Sequence, residues 1–410
     1  MIARHDGQVV LVSGAVPGER VIARIERTER RLAFASVVDV RAASPDRRPG
    51  FADPSCGGCV YSHIAYSRQL ALKADIVRDA FLRLGRLPID GPIPVASSPE
   101  HGYRMRARFH VEGTRVGFYR EGTHTLCDAA ATGQLSESAP SSVMSAVETL
   151  VGAGARVRSI ELTESLDVSQ RVLSVTVDDS RVVGEHALAQ LPSASGLTGC
   201  TVQDAEGNRG TRIMAGDPRV VDPLDVLTRG RAPEGKLRRH AESFFQANRF
   251  LVPDLVTAVL DSVAGGPVLD LYAGVGLFSV ALAVSGPREI TAVEGDRASG
   301  ADLEENSRNA GPLGGAVRVV LDSVERYLAS SPSRAETVIV DPPRTGMSTD
   351  AMTSILKVAA PRLVYVSCDP ATIARDARRL LDGGYTLDSL RAFDLFPNTP
   401  HIESLGVFVR

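Results

Sequence analysis

The sequence predicts an α/β chain: a doubly wound, mainly parallel C-terminal domain, a mainly β central region and a small N-terminal β-barrel. Three observations carry this. From Gly266 onward, apolar β-branched runs alternate with amphipathic stretches at helical spacing, as in a parallel sheet with crossover helices. The first of those runs ends in a glycine-rich turn, "VLDLYAGVGLFSVALA". Residues 1–45 instead place hydrophobics at every second position, broken by Gly-Ala and Pro-Gly.

Taken in order, residues 1–47 form the OB-like barrel, and 48–235 form a central region that opens on "FADPSCGGCVYSH". A helix over about 66–86 follows and is expected to pack on the catalytic domain. From about Pro94 to Val226 the pattern is mostly strands, interrupted by one helical stretch, "ESAPSSVMSAVETLVGAG". After "HAESFFQANRF" the β-α alternation begins, so 236–410 is the catalytic domain, Rossmann-like in its connections.

At 410 residues the chain is too long for one ordinary core, and 43% hydrophobic with 23% charged residues is a soluble composition. "MIARHDGQVV" lacks a basic-then-apolar leader pattern, and no apolar run is long enough for a bilayer, so a cytoplasmic location is expected. Five cysteines are too few for a disulfide framework and read as free, metal-binding or catalytic. A net charge of −3 leaves a nucleic-acid partner open, because local patches decide that. Arginines cluster in "RIERTERR" (24–31), "YRMRARFH" (103–110) and "KLRRH" (236–240), each read first as solvated surface.

The turn after the first C-terminal strand is D-x-x-x-G-x-G, with Asp270, Gly274 and Gly276. Its glycines let backbone approach a ligand, although such a turn alone would also serve a dinucleotide enzyme. The next strand ends in "VEGD", placing Glu294 to accept hydrogen bonds from ribose hydroxyls. A later strand ends in "VDPPR", with Asp341 before a rigid Pro-Pro. Acids on the first, second and fourth strands form the layout of class I S-adenosylmethionine methyltransferases, where a negative rim suits a sulfonium cation.

In "LVYVSCDPATIARD" Cys368 stands at the mouth of the fifth strand, one β-α unit beyond Asp341. An isolated cysteine would be read as a buried small hydrophobe. Here a thiolate has a task. Carbon 5 of uracil is too weak a nucleophile to take a methyl group unaided, and addition of sulfur at carbon 6 activates it. A base must then remove the carbon-5 proton. The candidate is Glu403 in "PNTPHIESLGVF", following His401, a carboxylate in an otherwise apolar strand.

"DPPRTGM", "YVSCDPATIARD", "FFQANRF" and "HIES" resemble the signature segments of the RNA uracil-C5 methyltransferase family, which makes 5-methyluridine in tRNA or ribosomal RNA. The resemblance covers most of the chain and is strongest from about Ala241. It implies Cys368 as nucleophile and Glu403 as base. Gln246, Tyr272, Gly274, Gly276, Glu294, Asp322 and Asp341 would contact S-adenosylmethionine. Leu277 departs from the pattern, since relatives often carry Asn there.

The N-terminal strands resemble the TRAM module, an RNA-gripping OB-like barrel, entered one strand late. Either the barrel is incomplete or translation begins upstream of Met1. By the same analogy, many relatives bind a [4Fe–4S] cluster through four cysteines. This chain has Cys56, Cys59 and Cys127, but Gly50 at the first position. Three thiolates imply an iron-sulfur cluster with another ligand, a zinc site completed by His63, or a lost site. Cys200 reads as structural.

The expected activity is methylation of carbon 5 of a uridine in structured RNA, ribosomal RNA before tRNA, by a monomer. Cytosine-C5 methylation also uses a cysteine, but the surroundings of Cys368 and "HIES" favour uracil. A noncatalytic RNA-binding protein would need neither Cys368 nor Glu403. A Rossmann oxidoreductase would leave Asp341 and Cys368 without roles.

Overall fold

The computed structural model describes residues 1–410 apart from 206–211, 233, 287, 311–316 and 331–333. At the N-terminus β1 (Ile2–His5), β2 (Gln8–Ser13), β3 (Arg20–Thr28) and β4 (Leu32–Ala42) form a sheet in the order β1-β2-β4-β3. Register shifts between β3 and β4 bend it. The alternating pattern buries Val10, Val12, Ala33 and Ala35 and leaves the "RIERTERR" segment of β3 largely exposed.

Two elements that precede the central sheet belong to the catalytic layer. Helix α1 (Tyr66–Arg83) packs on a C-terminal helix, and β5 (Val95–Ala96) adds a strand to the catalytic sheet. The central sheet then gathers β6 (Arg106–Glu112), β7 (Arg115–Tyr119), β8 (Leu126–Cys127), β9 (Val157–Glu164), β10 (Arg171–Val177), β11 (Gly199–Asp204) and β12 (Arg212–Gly216), in the order β12-β11-β10-β9-β6-β7-β8. Helices α2 (Ala139–Gly152) and α3 (Glu185–Ser195) supply Val143, Val147, Leu188 and Leu191 to its core, against Phe109, Ile160 and Leu162. A hairpin of β13 (Arg219–Pro223) and β14 (Lys236–His240), with α4 (Leu224–Leu227) between, leads onward.

The catalytic domain runs α5 (Val252–Ser262), β15 (Val268–Leu271), α6 (Leu277–Val284), β16 (Ile290–Glu294), α7 (Arg297–Arg308), β17 (Val317–Leu321), α8 (Val324–Ser330), β18 (Thr337–Val340), α9 (Thr349–Val358), β19 (Arg362–Ser367), α10 (Pro370–Asp382), β20 (Thr386–Phe393) and β21 (Glu403–Val409). Its eight-stranded sheet has the order β17-β16-β15-β18-β19-β21-β20-β5. The five strands from β17 to β19 are parallel, and β21 is antiparallel to both neighbours. Fully buried strands such as Thr337–Val340 explain the apolar runs, because helices cover both faces.

Partnered charges join the front of the chain to its end. Lys73 of α1 and Asp394, both fully buried, form an ion pair, and Lys73 also donates to the Phe396 carbonyl at 3.0 Å. Gln69 donates to Asn398 Oδ1 at 2.9 Å and accepts from the Asn398 backbone N–H at 2.9 Å. Removing one member of a buried pair strands the other charge. Asp394→Ala should therefore lower unfolding stability by about 3–5 kcal/mol. Lys73→Met with Asp394→Leu should recover most of that loss in denaturant titrations.

Candidate active site

Between β15 and β18 the sheet order reverses: the chain builds outward through β16 and β17, then returns to set β18 on the other side. Open α/β sheets bind ligands at such a point, outside the carboxyl ends of the strands. Asp270 lies on β15 and Tyr272 just past its end, Glu294 closes β16, Asp341 follows β18 and Cys368 follows β19. Because β21 is antiparallel, its first residue reaches the same edge. Ser367 faces Ser404 in that register, so Cys368 and Glu403 stand together one residue beyond the pair. Cys368, Glu403, Asp341, Gln246, Tyr272 and Glu294 line one cleft of about 1040 Å³. Asp270 and Gly276 lie behind its wall. Asp322 lies beyond it, past β17, where its Oδ1 accepts from Arg326 Nε at 2.6 Å.

The cleft is built to resist negative charge. Burial pushes the Asp270 carboxyl up to about 7, with Asp341 and Glu294 adding to the effect. Burial also raises Asp341 to about 7, against a hydrogen bond from Gln246 Nε2 at 3.3 Å. Glu403 is raised well above its ordinary value by burial and by Asp341, and its Oε1 has no hydrogen-bond partner among the described residues. Cys368 opens into the cleft, yet loss of solvation around it first, then Glu403 and Asp341, lift its thiol to about 11, against the pull of Arg344. In this state the thiol is protonated at neutral pH.

Local sequence explains how these groups are held. Tyr272 takes a left-handed φ of 60°, uncommon for a bulky residue, and Gly274 and Gly276 follow at 57° and 91°. A Cβ on Gly274 would meet nothing within 4 Å, while one on Gly276 would strike Leu303 and Val280 at 2.8 Å. The turn is thus open on its ligand side and packed behind. Glu294 braces it, accepting from the Gly274 and Asp296 backbone N–H groups at 2.7 and 2.6 Å. Asp369 caps α10 through the Thr372 N–H at 2.9 Å, and the Thr372 hydroxyl donates to the Arg344 carbonyl at 3.0 Å. Buried Asp376 accepts from Tyr365 at 2.8 Å and from the Met347 N–H at 3.2 Å. The Asp-Pro-Pro loop and the cysteine loop are therefore fixed to each other.

The arginine clusters separate. "KLRRH" is not a solvated patch: Arg239 is fully buried, donates to Asp222 at 2.6 Å and lies 4.1 Å over the Phe245 ring. "YRMRARFH" places Arg104, Arg106, Arg108 and His110 on the cleft wall. Sequence reasoning missed this, although cations at every second residue of a strand are a signal that they share one face. It also missed Phe244, which lines the cleft with 61% of its surface exposed beneath Arg106.

Two of the three cysteines that the family resemblance offered as metal ligands are paired with each other. Cys56 and Cys127 form a disulfide, leaving Cys59 buried, with its sulfur 3.9 Å from the Thr132 carbonyl. His63 turns away, its Nε2 3.3 Å from the Ala15 carbonyl. No group of three or more His, Cys, Asp or Glu among the described residues is arranged to hold a metal. Alkylation in denaturant without reductant should label three of the five cysteines, Cys59, Cys200 and Cys368. Five labels, or stoichiometric iron or zinc by elemental analysis, would overturn this pairing.

The electrostatics set a pH dependence. Raised pKa values mean that the ionised forms of Cys368 and Glu403 gain population as pH rises, so kcat/KM should climb from pH 6 through about pH 9. Asp341→Asn removes a negative neighbour of both groups. Its residual activity should show the rising limb shifted to lower pH, by about 1 unit. An unshifted limb would mean that Asp341 does not set their ionisation.

Comparison with known proteins gives one direction. Residues 328–410 match the family model of tRNA (uracil-5-)-methyltransferase, and residues 1–38 match the TRAM domain. The 23S rRNA (uracil(1939)-C(5))-methyltransferase RlmD of Alkalilimnicola ehrlichii is 31% identical, covering 100% of this chain and 93% of its own. The RlmD of Aeromonas hydrophila is 30% identical with the same coverage, 100% and 93%. Among solved structures, the tRNA (uracil-54, C5)-methyltransferase of Pyrococcus abyssi, in complex with S-adenosyl-L-homocysteine, shares the fold. Its TM-score is 0.74 at 22% identity, over 99% of this chain and 96% of that one. Among the described residues no helix is long and apolar enough to cross a membrane. With a thiol, a buried glutamate and an aspartate along one edge of its sheet, and full-length relatives of this kind, the chain belongs to the S-adenosylmethionine-dependent RNA uracil-C5 methyltransferase family.

Proposed function

We propose that the protein methylates carbon 5 of a uridine in ribosomal RNA through a covalent adduct on Cys368. The observation that carries this reading is the meeting of Cys368 and Glu403 at one rim of the sheet, beside Asp341. The names of the RlmD relatives support ribosomal RNA over tRNA. The target base is flipped into the cleft, since its reacting carbons are inaccessible in a stack.

S-adenosylmethionine, when bound, supplies a methyl group carried on a sulfonium cation. The residues present fit it: an open glycine turn at Gly274, a buried Asp270 whose Oδ1 has no hydrogen-bond partner among the described residues, and an acidic rim at Glu294 and Asp341. We assign Gln246, Tyr272, Gly274, Gly276, Glu294 and Asp341 to its binding, with Asp322 at the outer margin. The Cys368 sulfur adds to carbon 6 of uracil, opening the 5,6 double bond and making carbon 5 nucleophilic. After methylation, the Glu403 carboxylate takes the carbon-5 proton. The electron pair of that C–H bond restores the double bond and expels the Cys368 thiolate. Arg344 and the first turn of α10 are the nearby groups that favour the thiolate.

Each domain has a place in this reading. We take 1–47 as the RNA-gripping module, 48–235 as the central domain and 236–410 as the catalytic domain, with α1 and β5 attached to the last. One chain supplies every proposed catalytic group, consistent with a monomer, and we place its action in the cytoplasm.

The test uses RNA from a strain lacking the gene, labelled with tritium at uracil carbon 5. Wild-type protein with S-adenosylmethionine should release tritium to water, and Cys368→Ala should abolish release. Glu403→Gln should lower turnover by roughly 10²–10⁴-fold and accumulate an RNA–protein adduct that survives denaturing gels. Methyl transfer without tritium release would move the chemistry to another atom and remove both residues from it.

A further inference from the structure

Helices cover one face of the central sheet, while the other is covered only in part, where Val172 packs against Val220 and Ala241. Helices α2 and α3 bury Phe109, Ile160 and Leu162 against that side. The opposite face turns toward the catalytic cleft, and the alternation of β6 sends Arg106, Arg108 and His110 there while Ala107, Phe109 and Val111 point inward. Tyr119, on the neighbouring strand β7, joins them. Its ring lies parallel to the His110 imidazole, with centroids 3.6 Å apart and planes 7° from parallel. His124 meets Tyr119 edge-on at 5.3 Å.

Two features separate this pair from ordinary cross-strand packing. His110 and Tyr119 are only half-buried and line the same cleft as Cys368 and Glu403. The cations beside them also differ in their partners. Arg106 is neutralised by Glu161 at 2.8 Å, whereas exposed Arg108 touches only the Ser159 hydroxyl, at 3.3 Å, and has no carboxylate partner among the described residues. A flat stack of polar rings with an unneutralised guanidinium on an open sheet is the chemistry that holds single-stranded RNA: bases stack on rings, and phosphates meet cations. Burial, with Arg108 and His124 nearby, lowers the His110 pKa, which disfavours a charged imidazole in the stack.

We propose that His110 and Tyr119 form a stacking platform for a nucleobase flanking the target uridine, with Arg108 holding an adjacent phosphate. The base adds a layer to the two-ring stack and anchors the strand whose neighbouring nucleotide enters the cleft. The inference rests on the RNA methyltransferase reading and deepens it by naming residues that position the substrate. These are positioning residues, because none of them touches the reacting atoms.

Two measurements decide it. In tritium-release kinetics on unmodified total RNA, Tyr119→Leu and Arg108→Gln should each raise KM for RNA by roughly 5- to 100-fold with kcat within about twofold. Tyr119→Phe, which keeps the ring, should restore KM. In binding experiments, a single-stranded RNA decamer carrying 2-aminopurine beside a central uridine should be quenched by wild type and Tyr119→Phe but not by Tyr119→Leu. Unchanged KM and quenching in a Tyr119→Leu protein with wild-type Tm would overturn the platform and leave the rings as a hairpin brace. A fall in kcat at constant KM would overturn it too. Absence of tritium release by wild type would reject the proposed uracil chemistry alone, and the quenching result would still decide the platform.

Discussion

Three carboxyl groups, buried Asp270 and Glu403 and half-buried Asp341, gather at one edge of one sheet, and all three are held above their ordinary range. Ionising them together without a cation is unfavourable, because like charges out of water repel and are poorly solvated. The cleft therefore rests with protons on some of its acids and with its thiol protonated. A positively charged ligand changes that balance in the direction the proposed chemistry needs. It favours the carboxylates, as a base at Glu403 would require, and it offsets the negative surroundings that hold Cys368 up. The arrangement ties the ionisation of Cys368 and Glu403 to the charge of what occupies the cleft.

That crowding has to be held by the rest of the fold. A carboxylate in an apolar strand is tolerated because β21 is clamped between β19 and β20, where Ser404 and Leu405 continue the register. The Asp-Pro-Pro loop cannot swing away from Glu403, because Thr372, Arg375 and Asp376 of α10 all reach back to it or to the residues that follow it. Rigidity of this kind matters in catalysis by positioned groups, where small displacements are costly.

Much of this was legible in the sequence where local chemistry was distinctive. The D-x-x-x-G-x-G turn, Asp341 before two prolines and Cys368 before Asp-Pro each carry their backbone requirements with them, so the C-terminal domain and its rim could be read directly. What was not legible depended on contacts distant in sequence. Nothing around Lys73 announces Asp394, and nothing in "KLRRH" announces that Arg239 is buried against Asp222. The cysteines are a related case. The family resemblance offered Cys56, Cys59 and Cys127 as ligands, but nothing local in the sequence says that Cys56 pairs with Cys127 across 71 residues. The cleft arginines lay between these cases: their alternation was visible, but which face of the sheet looks toward the thiol is a property of domain docking.

The attachment of α1 and β5 to the C-terminal layer has a consequence for how the molecule comes into being. A ribosome makes these segments early, yet β20, which β5 joins, is made roughly 290 residues later. At about 5–20 residues per second, that is a wait on the order of 15–60 s. Throughout it the face of α1 that will carry Val77 and Phe81 inward has no final partner, and Lys73 has no Asp394. The central domain, finished meanwhile, can fold on its own schedule, as an insert inside a domain that is still being written. Nascent chains of this protein thus carry the inward face of an amphipathic helix without its final partner for most of elongation.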